Sequence, residues 1–222
     1  MMNNYVNRYM WRKILLACLV GFCLSQITHA ANPFIRVRIA HGVSLDMPRN
    51  WVVLAGNTRI TIDAWVAARI KENTRSDLTF AANLYDNHQS VIALLNVRFY
   101  PEQTVTQAEI QAATNADINE MDIYMRDEML KAARLSGFSM LRWNGLRRIN
   151  VNGISVLAYG YRRSAMPQAE NRSPFNVTYY RVLNRHRSFT LTVSYREDQA
   201  ALVAPICDAI LASLRVEGLS RN

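Results

Sequence analysis

The chain has 222 residues, half of them hydrophobic, a formal net charge of +9 and only 19% charged residues. That length and apolar content are enough for one domain with a full core. The modest charged fraction excludes an intrinsically disordered chain.

The N-terminus has the pattern of a secretory signal. Arg8, Arg12 and Lys13 form a basic segment, Ile14–Ser25 is an apolar run, and small residues at Thr28 and Ala30 suit cleavage after Ala30. The run falls short of the roughly 20 residues that span a bilayer. The spacing of Cys18 and Cys23 does not suit a lipoprotein signal. The expected organisation is a signal over 1–30, one domain over 31–218 and a tail over 219–222, giving a periplasmic or secreted protein that is not integral to the membrane. Removing Arg8, Arg12 and Lys13 takes the formal charge from +9 to +6. Cys18 and Cys23 leave with the signal, so no internal disulfide is expected. Cys207 remains, read as a buried small hydrophobe, with a redox or intermolecular thiol as the alternative.

Next come two short strands. Ile35, Val37 and Ile39 alternate with arginines, and Val43, Leu45 and Met47 repeat the pattern up to Pro48. Asp63 is placed as the cap of a short helix. Residues 78–101 read as a hairpin turning at Asp86-Asn87-His88-Gln89. Residues 106–137 are the clearest helical region. Thr106 and Glu109 fit a capping box, Ile118, Met121, Met125, Met129 and Ala133 share a face, and Gly137 is a natural stop. "TNAD" divides the region into two helices. The methionine stripe reads as core, with a sticky surface as the alternative.

After the helices, strands return. Asn152-Gly153 suits a two-residue hairpin turn, since both positions favour positive φ. Residues 175–183 and 188–195 form a second hairpin with its tip at 184–187. In its second strand Phe189, Leu191, Val193 and Tyr195 alternate with Ser188, Thr190, Thr192 and Ser194, which predicts one face on a core and one polar, solvated face. A final helix carries Val203, Ile206, Ile210 and Leu214 on one stripe, with Pro205 near its start or at a kink. The expected fold class is α+β, an antiparallel sheet packed with helices.

Catalytic signatures are missing from the sequence: it has no G-x-S-x-G, phosphate-cradling glycine loop, H-E-x-x-H or C-x-x-C. His41, His88 and His186 lie near predicted turns and supply no local metal site. No enzyme activity and no cofactor are expected. Rings and arginines mix along residues 159–187, as in single-strand nucleic-acid binders, but strand alternation divides them between two faces, so nucleic acid is a disfavoured partner. The candidate partner contacts are Arg162, Arg163, Arg185, His186 and Arg187, because arginine pairs well with carboxylates.

"GVSLDMPRNW" (Gly42–Trp51) resembles the early strand–Pro–x–x–Trp segment of PsbP-like (Mog/PsbP-type) domains. "YRVLNRHRSFTLTVSY" followed by "ICDAILASL" resembles their closing hairpin and terminal helix. The resemblance implies an α/β/α sandwich. Members are mostly accessory or binding proteins, including a photosystem subunit, a Ran-binding protein and bacterial envelope proteins, and they share no catalytic residues to transfer. The reading is a periplasmic, non-enzymatic accessory protein that binds an envelope protein partner, as part of an envelope or secretion assembly. A module for a small ligand or lipid is the alternative.

Overall fold

The computed structural model describes residues 33–69, 77–100, 104–165, 171–185 and 188–219. The chain divides into two compact units, 1–34 and 35–222, and the architecture below is that of the second. The expected signal and residues 220–222 of the expected tail lie outside the described residues. No described helix is long and apolar enough to cross a membrane.

Among the described residues, ten strands and four α-helices follow in the order β1 (Phe34–Arg38), β2 (Val43–Pro48), β3 (Val52–Val53), α1 (Gly56–Arg69), β4 (Asp77–Tyr85), β5 (Val91–Phe99), α2 (Gln107–Ala112), α3 (Asn115–Ser136), β6 (Met140–Val151), β7 (Ile154–Arg163), β8 (Phe175–Val182), β9 (Phe189–Arg196), α4 (Ala200–Ala212) and β10 (Arg215–Val216). Seven strands make an antiparallel sheet in the order β3-β4-β5-β9-β8-β7-β6, and a small sheet is ordered β1-β2-β10. This is the expected α+β class.

Local chemistry sets the turns and caps. The β4–β5 turn closes because the Asp86 carboxylate accepts from the backbone N–H of His88 and Ser90, both at 2.9 Å. The β6–β7 turn puts Asn152 at φ 52° and Gly153 at φ 84°, a pair only these residue types adopt without strain. Two capping boxes start the helices: Thr106 with Glu109 for α2, and Thr114 with Asp117 for α3. The second box is why "TNAD" separates two helices. Gly137 ends α3 in the left-handed region at φ 76°.

The sheet has two covered faces. On one, α4 packs on β9 and β2; Leu45, Phe189, Leu191, Val203, Ile210 and Leu214 there have no accessible surface. Each such side chain contributes about 1.5–3 kcal/mol by leaving water. On the other face α1 packs on β4, α2 on β7 and α3 on β6. Ile110, Ile118, Leu157 and Leu183 form an apolar cluster there, joined by half-buried Met121. The methionine stripe thus faces the sheet: Met125 and Met129 are half-buried as well.

Two expectations change. Asp63 is not a cap: α1 begins at Gly56, and the Asp63 carboxylate instead pairs with Arg98 of β5 and accepts from Leu78 N. Tertiary partners claimed the side chain that looked like a local signal. The polar side of β9 is not a wet surface either: Ser188, Thr190 and Ser194 are 1%, 2% and 4% exposed, and β9 is a central strand between β5 and β8.

Candidate functional site

Strand pairing brings the polar side of β9 into register with polar and aromatic residues of its neighbours. Arg98, Thr190 and Arg181 lie in one row across β5, β9 and β8, and Asn96, Thr192 and Tyr179 in the next. Tyr159 and Tyr161 of β7 extend the surface. Tyr159 stacks on Tyr179 with centroids 5.0 Å apart, and the Tyr161 and Tyr179 hydroxyls stand 3.3 Å from each other. Burial pushes the pKa of Tyr179 well above its ordinary value and raises that of Tyr161. Both phenols are therefore neutral hydrogen-bonding groups at any physiological pH. Trp143 tilts against Tyr159, held there because its Nε1 donates to Asp122 of α3 at 2.8 Å. The same carboxylate oxygen accepts from Leu146 N at 2.5 Å.

This surface ends at Arg163. Its guanidinium sits 5.2 Å from the Phe138 ring centroid and 4.6 Å from that of Phe175, and it donates to Ser164 O at 3.1 Å. Among the described residues no carboxylate pairs with it. Desolvation lowers its pKa, but guanidinium starts so high that it stays charged. The result is a cation in contact with two ring faces, close to the neutral hydroxyls of Tyr161 and Tyr179. An acidic group is its natural complement.

The other candidate contacts lie elsewhere. Arg162, next along β7, points to the opposite face and is ion-paired with Glu197. Arg185 is exposed at the β8–β9 turn, about 20 Å along β8 from the Arg162 end of the sheet. It lies near Glu109, whose pKa is lowered first by the Thr106 N–H and further by Arg185. His186 and Arg187 lie outside the described residues. The structure therefore does not gather Arg162, Arg163 and Arg185 into one patch.

The serine–threonine alternation of β9 is visible in the chain, but its burial and the placement of Arg98 and Arg181 on either side of Thr190 come from the sheet register. Other features fit no chemistry. Burial pushes the Cys207 thiol up to about 12, so it is protonated and inert. A shallow depression of about 310 Å³ on the opposite face, between the β6–β7 turn and α4, has Asp208 as its one charged group. Among the described residues no three His, Cys, Asp or Glu side chains converge on a metal position.

An antiparallel seven-stranded sheet with helices on both faces and a closing β8–β9–α4 unit gives the chain a PsbP-like fold. The solution structure of cyanobacterial PsbP (CyanoP) from Synechocystis sp. PCC 6803 is similar, with a TM-score of 0.50 and 12% identity over 85% of this chain and 95% of that one. The Ran-binding protein Mog1p of Saccharomyces cerevisiae gives 0.44 at 8% identity over 82% and 95%. LpqN, involved in cell envelope biogenesis of Mycobacterium tuberculosis, gives 0.40 at 10% identity over 83% and 86%. No family model and no curated protein matches the sequence.

Proposed function

We propose that the chain is an extracytoplasmic, non-catalytic accessory protein that binds an acidic segment of an envelope protein at Arg163. One observation carries this reading: the Arg163 guanidinium is held against the rings of Phe138 and Phe175 with no carboxylate partner among the described residues. Building a cation into a half-buried aromatic clamp costs desolvation, and an incoming carboxylate offsets that cost. The two ring contacts restrict the side chain before a partner arrives, so less entropy is lost when it engages. The signal-like N-terminus supports a periplasmic or secreted location, where such a partner would be met. The basic balance of the chain favours the same sign of partner. No cofactor enters this reading, and nucleic acid does not.

The experiment is in-cell crosslinking. The C-terminally tagged chain is crosslinked in living cells of its host, alongside an Arg163→Met variant whose thermal unfolding matches the parent. A reproducible envelope partner that is lost in the variant supports the proposal. In vitro, that complex should weaken as salt rises. A partner retained in full by Arg163→Met, or no partner above background, overturns it.

A further inference from the structure

The buried row of β9 raises a separate question, because its polar atoms are not satisfied. Thr190 Oγ1, Ser194 Oγ, Asn96 Oδ1 and Arg181 Nε are all buried and make no hydrogen bond with a described residue. Buried polar atoms in folded proteins nearly always have a partner, protein or otherwise. Here all four sit on one side of the sheet. Thr190 and Ser194 are 2% and 4% exposed, so bulk water does not account for them.

The charge balance of the row points in one direction. Arg98 is ion-paired with Asp63. Arg181, across Thr190 from it, makes no ion pair or hydrogen bond with a described residue; its guanidinium lies 5.2 Å from the Tyr100 ring centroid. The floor therefore presents one uncompensated cation, two threonine hydroxyls and one amide carbonyl. Asn96, Thr192, Tyr179 and Arg181 keep partial exposure, which leaves a way in from solvent. Two rungs across three strands measure about 10 by 7 Å, the footprint of a molecule of about six carbons.

We propose that this floor, over β5, β9 and β8, binds a small hydroxylated carboxylate: a hydroxy acid or sugar acid. Arg181 takes the carboxylate. Thr190 and Thr192 donate to or accept from hydroxyl groups, and Asn96 Oδ1 accepts from one. Ser194, two residues beyond Thr192 on the same strand face, serves a longer ligand. A neutral or cationic ligand would leave the Arg181 guanidinium without a counter-charge, and a purely apolar one would leave all four buried atoms unsatisfied. This goes beyond the partner reading and uses different side chains, so either can fail without the other.

The test is thermal unfolding of the purified chain with about 10 mM glycerate, tartrate, citrate or galacturonate, against sodium chloride of matched ionic strength and galactose as the uncharged control. At least one acid should raise Tm by several degrees, and galactose should not. Arg181→Met should remove the shift. Thr190→Val is the sharper variant, because it keeps the shape and deletes the unpartnered hydroxyl. It should raise Tm without ligand and weaken the acid at least about tenfold. If Arg181→Met does not fold, Thr190→Val decides alone: unchanged affinity overturns the proposal. No shift with any of the four acids also overturns it, and means that the floor holds only ordered water.

Discussion

At the scale of single residues, the tyrosine surface depends on one position without a side chain. Gly160 lies between Tyr159 and Tyr161 on β7, opposite Thr178 of β8. A Cβ placed there would stand 2.6 Å from Val177 O and 3.2 Å from Thr178 Oγ1. The first neighbour is backbone of a paired strand and cannot step aside without breaking the ladder. Gly160 therefore sets how closely β7 and β8 approach, and the Tyr159–Tyr179 stack sits next to that contact. Gly160→Ala should cost about 1–3 kcal/mol of stability, read as a lowered urea midpoint. The near-ultraviolet tyrosine circular dichroism should fall with it while the far-ultraviolet signal is kept. A variant as stable as the parent would mean that the two strands have slack. Arg163 and Arg181 show the complementary case: each is a cation whose surroundings hold it in place without neutralising it.

At the scale of elements, α2 and α3 start at reciprocal capping boxes, and this ties them to pH. Thr106 N donates to the Glu109 carboxylate and Thr114 N to that of Asp117, both at 2.7 Å. These bonds hold both carboxyls below their ordinary values of 4.5 and 3.8. A carboxyl whose folded pKa is depressed stabilises the fold fully above its ordinary pKa. That contribution is lost as pH falls through the lower folded value. Lowering pH from 5 toward 2 should therefore loosen the starts of α2 and α3, seen as faster amide exchange at residues 107–118. Thr114→Ala should cost about 1 kcal/mol at neutral pH, and it should flatten the acid response of α3 but not that of α2. An equal response in both helices would show that the boxes do not carry the effect. These boxes were legible in the sequence, as were the Asn152-Gly153 turn and the β4–β5 turn at Asp86, because each is fixed by residues within four positions of one another. The fate of Asp63 was not legible, because Arg98 and Leu78 reach it through the fold. Nor was the burial of Thr190 and Ser194: alternation says that a strand has two faces, and only the sheet order says that both are covered. Arg162 and Arg163 are adjacent in sequence, and period two sends them to opposite sides, as strand alternation predicts.

At the scale of the molecule, the two ends of the described chain close the same layer. β10 pairs with β2, through Arg215 with Ser44 and Val216 with Val43. Asp46 N donates to Ser213 Oγ at 2.7 Å. The Asn152 side chain donates to Ala212 O and Leu214 O at 2.9 and 2.7 Å, fastening the exit of α4 to the β6–β7 turn. The helix between these ties carries Pro205 in its interior, where one backbone hydrogen bond is forfeited. Packing must therefore hold α4, and it does: Val203 and Ile210 have no accessible surface, and Cys207 is buried between them. Removing residues 200–222 would take away that cover together with the third strand of the small sheet. It would bare the Phe189, Leu191 and Val193 side of the central strand β9, which the α1–α3 layer cannot reach from the other face. The loss is not local, since β9 bridges the β3–β4–β5 and β6–β7–β8 halves of the sheet. The truncated chain should lose its cooperative thermal transition, bind a hydrophobic dye and retain part of its far-ultraviolet signal, the signature of a collapsed state without fixed packing. A sharp transition surviving the truncation would mean that the large sheet and the α1–α3 layer form a self-sufficient core. In that case α4 would be an appended cover whose removal leaves both proposed sites intact.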